Sequence, residues 1–227
     1  MAGLETLGIR GGDKIDVIEM MECLVKEWTL NMEQKKVFNT VACHTMEEKE
    51  PQLLMYLGGP GGTGKSRVVN ALQEFFSQIG ESRHFRLAVS TGMAARNIGG
   101  ATLHSLLQMS ESGKCSSVKA KRELQDMWDG VDYLFIDKVS MIGCEMLHNI
   151  SSILTEVKGK TCAFGGVNMI LAGDFAQLPP IGDVQLYKNI NTCGTTSGAS
   201  KRAQAKVLGK LLWLSVEMVV ILQEVVH

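Results

Sequence analysis

One segment constrains this chain more than any other: Gly59-Pro60-Gly61-Gly62-Thr63-Gly64-Lys65-Ser66. It satisfies G-x-x-x-x-G-K-[ST] in full, and its setting is the one that the motif requires. The short apolar run Leu53 to Leu57 before it reads as a strand. After it, Ser66 to Ile79 reads as a helix with Val68, Val69, Leu72, Phe75, Phe76 and Ile79 on the buried side, stopped by Gly80. Glycines let a backbone wrap closely around phosphate oxygens and turn its N–H groups inward, and the helix N-terminus adds partial positive charge. Lys65 is placed to reach the β- and γ-phosphates, and Ser66 to give a hydroxyl ligand to Mg²⁺. A glycine-rich turn matching by chance is the plain alternative, and the strand–loop–helix setting argues against it. The loop alone does not choose between a kinase, a GTPase, a transporter ATPase and a helicase.

The remainder alternates short apolar runs with helical stretches, as a parallel sheet with crossover helices does. Further strands are expected at Arg86 to Ser90, Asp132 to Ile136, Val167 to Leu171 and Val219 to Leu222. Continuous apolar runs suit strands covered on both faces. A length of 227 residues fits one domain with extensions, and 45% hydrophobic with 21% charged residues fits a globular chain. Residues 1–29 are set apart as an N-terminal extension, in which Ile15, Ile18, Met21, Leu24 and Val25 could line a helix; residues 30–227 form the domain. The polar stretches Ser110 to Ser117 and Asn191 to Ser200 read as loops.

Net charge is −1, which neither favours nor excludes nucleic acid. The basic clusters Lys35-Lys36, Lys119 with Lys121-Arg122, and Lys201-Arg202 read as solvated surface. Six cysteines form no Cys-x-x-Cys pair, and the N-terminus has no charged-then-apolar leader, so free thiols in a reducing, intracellular setting are expected. The longest apolar stretch, Leu211 to Leu222, is too short to span a membrane and reads as buried strand or helix.

A P-loop enzyme needs an acidic Mg²⁺ partner at the end of another strand, and Asp137 closes the run Tyr133-Leu134-Phe135-Ile136. Its plain reading is a turn residue at a strand end. Gly173-Asp174-Phe175-Ala176-Gln177-Leu178-Pro179-Pro180 also follows a strand, so Gln177 is a candidate to touch the γ-phosphate or its attacking water. In isolation that segment reads as a proline-terminated loop.

Taken together, these segments resemble the motifs of the Pif family of superfamily-one, 5′-to-3′ DNA helicases, including the helicase part of Helitron transposons. Gly58 to Ser66 is similar to the family's motif I, and Ser90 to Ser105 to its motif Ia. Ile136-Asp137-Lys138-Val139-Ser140-Met141 is similar to motif II, and Gly173 to Pro180 to motif III. Leu30-Asn31-Met32-Glu33-Gln34 resembles the adenine-reading segment, with Gln34 as the amide; on its own Gln34 reads as a helix-surface residue. The resemblance covers about residues 30 to 225. It implies a three-layer α/β domain of the RecA-like P-loop type, the first motor domain of an ATP-dependent DNA helicase. ATP and Mg²⁺ would be its cofactors, and Lys65, Asp137 and Gln177 its catalytic residues. Thr91, Gly92, Thr102, His104 and Ser105 would lie along a single-stranded DNA path, where the alternative for His104 is a packed or capping histidine. Nuclear or mitochondrial work in DNA repair, recombination and telomere maintenance comes with the same resemblance.

The sequence departs from that pattern twice. Motif II carries Asp-Glu in the family and Asp137-Lys138 here. The glutamate orients, or takes a proton from, the attacking water, whereas a lysine ammonium has three donors and no acceptor. Mg·ATP binding with poor hydrolysis is therefore expected, in the limit a non-catalytic nucleotide- and DNA-binding remnant. Second, His227 stands where the family's next motif carries an arginine, and the second motor domain is expected to be absent, or supplied by another chain.

Overall fold

A computed structural model describes residues 13–47, 50–90, 101–108, 118–189 and 200–224. Six strands form one sheet: β1 Leu54–Gly58, β2 Phe85–Val89, β3 Ala101–Thr102, β4 Tyr133–Asp137, β5 Asn168–Gly173 and β6 Met218–Ile221. Their order is β3-β2-β4-β5-β1-β6, and all neighbours are parallel. Helices α1 Asp13–Glu27, α2 Met32–Met46 and α3 Lys65–Gln78 cover one face. On the other lie α4 Leu103–Leu106, α5 Val118–Trp128, α6 Cys144–Lys158 and α7 Lys201–Leu214. This is the expected three-layer α/β architecture.

The two-residue period of the strands divides the core. Met55, Leu57, Phe85, Leu87, Tyr133, Phe135, Ile170 and Ala172 face α1–α3. Ala88, Leu134, Ile136, Met169 and Leu171 face the opposite layer. Helix α3 buries Val68, Val69, Ala71, Leu72, Phe75 and Phe76, the side read from its sequence, and Gly80 closes it with φ +78°. The stretch set apart as an extension contributes to the same core, because α1 buries Met21 and Leu24 against it.

Two expectations are corrected. Leu211 to Leu222 is not one buried element. It comprises the end of α7, a turn, and β6, with Leu211, Leu214, Val219 and Ile221 exposed. The reason is position, since among the described residues β6 is an edge strand with one neighbour, β1. Gln34 lies on a helix but not on its surface; it has no exposed area.

Of the basic clusters, Lys121 pairs with Glu156 and Arg202 with Glu145 at exposed positions, while Lys35 and Lys36 are exposed. Cys23, Cys43, Cys144 and Cys162 are free thiols; Cys115 and Cys193 lie outside the described residues. Among the described residues no helix is long and apolar enough to cross a membrane.

Candidate functional site: a phosphate cavity at the strand ends

Sheet order explains how three distant segments meet. Strand β5 lies between β1, which feeds the glycine-rich loop, and β4, which ends in Asp137. The register sets Gly58 opposite Gly173, and Asp137 opposite Ala172, so the three strands end level. In parallel α/β sheets the ligand crevice lies outside these carboxyl ends. A cavity of about 500 Å³ opens there, lined by Gly61, Gly62, Gly64, Lys65, Ser66, Arg67, Asp137, Lys138, Gly173 and Gln177.

Two glycines permit the close approaches that shape it. At Gly59, φ is +152°, and a Cβ would stand 2.7 Å from the Leu222 carbonyl oxygen and 2.8 Å from Thr63 Oγ1. At Gly173, φ is +159°, and a Cβ would stand 2.9 Å from the Val139 nitrogen. Any larger residue would push β1 away from β6, or β5 away from the turn after β4.

Lys65 opens α3 and turns back on its own loop, donating from Nζ to the carbonyls of Gly59 at 2.6 Å and Pro60 at 2.9 Å. Burial pushes its pKa down, against the opposing pull of the Asp137 and Asp174 carboxylates. Ser66 is exposed to the cavity. Its hydroxyl and the Asp137 carboxylate are hard oxygen donors of the kind Mg²⁺ takes. Lys138, following Asp137, has φ +67° and ψ +51°, a left-handed conformation that costs a non-glycine residue about 1–2 kcal/mol. The surrounding bonds hold it there. Its N–H donates to Asp137 Oδ1 at 2.9 Å, and Ser90 Oγ donates to the Lys138 carbonyl at 3.1 Å. The cavity lining therefore carries three cations, Lys65, Arg67 and Lys138, against one carboxylate, a balance suited to a polyphosphate.

Gln177 reaches the cavity from the turn after β5, where its N–H donates to the Asp174 carbonyl at 3.0 Å. Phe175 anchors that turn. Its ring stands 5.3 Å from each of Tyr56, Trp213 and Tyr187, measured between centroids. Sequence reading found Gln177 but not this aromatic brace, nor Arg67, whose Nη1 donates to Thr29 Oγ1 at 3.0 Å.

Of the candidate DNA residues, Thr102, His104 and Ser105 do not line the cavity. Thr102, His104 and Ser105 lie at β3 and α4, on the sheet edge remote from β6, and Thr91 and Gly92 lie outside the described residues. Thr102 caps α4, accepting from the Ser105 N–H at 3.2 Å, and Ser105 Oγ donates to the Thr102 carbonyl at 2.8 Å. His104 is exposed rather than packed.

Fold and cavity together define a RecA-like P-loop domain. A sequence profile of the PIF1-like helicase family matches residues 29–217, and the chain belongs to that family. The ATP-dependent DNA helicase RRM3 of Saccharomyces cerevisiae is 27% identical over 169 residues, 72% of this chain and 22% of that protein. The ATP-dependent DNA helicase PIF1 of Xenopus laevis is 33% identical over 165 residues, 69% of this chain and 23% of that protein. The chain thus spans under a quarter of these two relatives. A crystal structure of Pif1 helicase from Bacteroides, in complex with ADP-AlF3 and ssDNA, superposes with a TM-score of 0.60 at 23% identity, covering 87% of this chain and 42% of that one. That likeness supports the fold.

Proposed function

We propose that this chain is a motor domain of an ATP-dependent DNA helicase, binding Mg·ATP in the cavity at the strand ends and single-stranded DNA nearby. The observation that carries this reading is the convergence of Lys65, Ser66, Asp137 and Gln177 on one cavity within a PIF1-like chain. The Bacteroides relative, crystallised with ADP-AlF3 and ssDNA, supports both ligands.

In this reading the loop from Gly59 to Gly64 surrounds the phosphates, and Lys65 exchanges its loop carbonyls for phosphate oxygens. Ser66 and Asp137 hold Mg²⁺, which would neutralise the phosphate charge. Gln177 orients the water or senses the γ-phosphate. Lys138 donates hydrogen bonds and cannot take the water's proton, so ATP is held well and cleaved slowly. Thr91, Gly92, Thr102, His104 and Ser105 are proposed for the DNA path. Translocation calls for a second motor domain closing on this one. Nuclear or mitochondrial DNA maintenance is the setting in keeping with the family.

Binding tests this reading. A fluorescent ATP analogue should bind in the presence of Mg²⁺, and Lys65→Ala should weaken it at least tenfold while sparing affinity for a single-stranded oligonucleotide. Failure of the parent chain to bind nucleotide would refute it.

A further inference from the structure

The three cations that line the phosphate cavity are not equivalent. Lys65 Nζ already donates to the carbonyls of Gly59 and Pro60, and Arg67 Nη1 to Thr29 Oγ1. Lys138 differs. Its backbone is tied down, by its own N–H on Asp137 Oδ1 and by Ser90 Oγ on its carbonyl. Among the described residues its ammonium has neither a hydrogen bond nor an ion pair. Backbone donors engage the carboxylates at the strand ends instead. Asp137 Oδ1 accepts from the Lys138 N–H, and Asp174 Oδ1 from the Ala176 N–H at 2.9 Å.

Position says which phosphate such an ammonium would meet. Lys138 follows Asp137, the proposed Mg²⁺ ligand, and shares the cavity wall with Gln177. In P-loop enzymes the metal bridges the β- and γ-phosphates. A cation beside that carboxylate therefore stands at the outer end of a triphosphate, where a diphosphate lacks its last group.

We propose that Lys138 binds the terminal phosphate of a nucleoside triphosphate and can hold it in place of Mg²⁺, so that the cavity keeps its preference for triphosphate over diphosphate when the metal is removed. This rests on the nucleotide site proposed above. With the family's glutamate at 138, two neighbouring carboxylates would face the phosphates, and a metal ion would be needed to screen the repulsion. Lysine turns one of those negative charges into a positive one, which attracts phosphate and repels Mg²⁺. Metal and ammonium neutralise the same oxygens, so the lysine matters most when the metal is absent.

The test uses the whole chain and fluorescent analogues of ADP and of a non-hydrolysable ATP, titrated in excess Mg²⁺ and again in excess EDTA. In EDTA the parent should bind the triphosphate at least about tenfold more tightly than the diphosphate, the lower end of what a hydrogen bond to a charged group contributes. Lys138→Met, of similar length, should erase that preference while changing diphosphate affinity less than about threefold. Lys138→Arg, which keeps the charge, should retain it. In Mg²⁺ the Met variant should lose less than about threefold in triphosphate affinity, because the metal already screens the phosphates. A parent that binds both nucleotides alike in EDTA, or binds neither there while binding both in Mg²⁺, would overturn the inference and leave the nucleotide site standing. So would a Lys138→Met variant that keeps the preference, or that loses both nucleotides equally, as a fold defect would. A parent that binds no nucleotide even in Mg²⁺ would refute the site and the inference together.

Discussion

The backbone N–H of Lys138 donates to Oδ1 of Asp137 at 2.9 Å, so the lysine is locked in sequence and in space to the carboxylate proposed to hold Mg²⁺. Its left-handed φ fixes where the side chain departs, and that side chain lines the phosphate cavity. Among the described residues no ion pair occupies its ammonium. A glutamate at the same φ would bear similar backbone strain, so exchanging the two changes chemistry more than conformation.

The aromatic brace under Gln177 should matter more to turnover than to nucleotide affinity. Phe175→Ala removes a half-buried ring and should cost about 2 kcal/mol, less than the roughly 3–5 kcal/mol of a fully buried phenylalanine. Urea unfolding measures that loss. ATP affinity should change less than threefold, while any turnover drops further, because the turn from Asp174 to Gln177 loses its anchor.

Helix α7 offers a test of packing away from the site. Glycine inside a helix ordinarily gives up about 0.5–1 kcal/mol relative to alanine. At Gly209 the sign should invert, because a Cβ there would overlap the carbonyl of Cys144 at the start of α6. Gly209→Ala should destabilise the domain by about 1–3 kcal/mol as the helices are forced apart. A variant more stable than the parent would show that α6 and α7 do not meet as described.

Stability should fall in alkali. Burial raises the Tyr133 pKa, and burial followed by the charge of Asp174 raises that of Tyr56. Tyr133 meets His44, whose Nε2 donates to the Pro51 carbonyl at 2.9 Å, leaving Nδ1 to accept from the Tyr133 hydroxyl at 2.6 Å. A group whose folded pKa lies above its unfolded value contributes stability that is full below the unfolded pKa, about 10 for tyrosine, and lost as pH rises through the folded one. The thermal midpoint should therefore decline as pH rises above about 10, and decline less in Tyr133→Phe, with Tyr56 contributing to what remains.

Much of this was legible in the sequence, for identifiable reasons. Strands β1, β2, β4 and β5 are central or nearly so, and their unbroken apolar runs locate them to within a residue or two. The loop from Gly59 to Ser66 and the strand-end Asp137 are local patterns, and sheet order alone brings them together. The same apolar signal located β6 but misled about its burial, because a run of valine and isoleucine looks alike in a central strand and at an edge. Strand β3 is too short to carry a period. Helix α2 had a readable start, Asn31-x-x-Gln34, but only the fold shows that its cap is roofed by the phosphate loop. The contact of Phe175 with Tyr56 and Trp213 joins three elements far apart in sequence, which no local pattern reports.

The most direct test of the account is steady-state ATP turnover with saturating single-stranded DNA, comparing the parent with Lys138→Glu and Lys65→Ala. Loss of a general base commonly lowers rate by roughly 10²–10⁴. The account predicts slow turnover in the parent, a rise of at least about tenfold in Lys138→Glu with ATP affinity little changed, and none in Lys65→Ala. Brisk turnover in the parent, or no gain in a Lys138→Glu variant that still binds ATP, would contradict it.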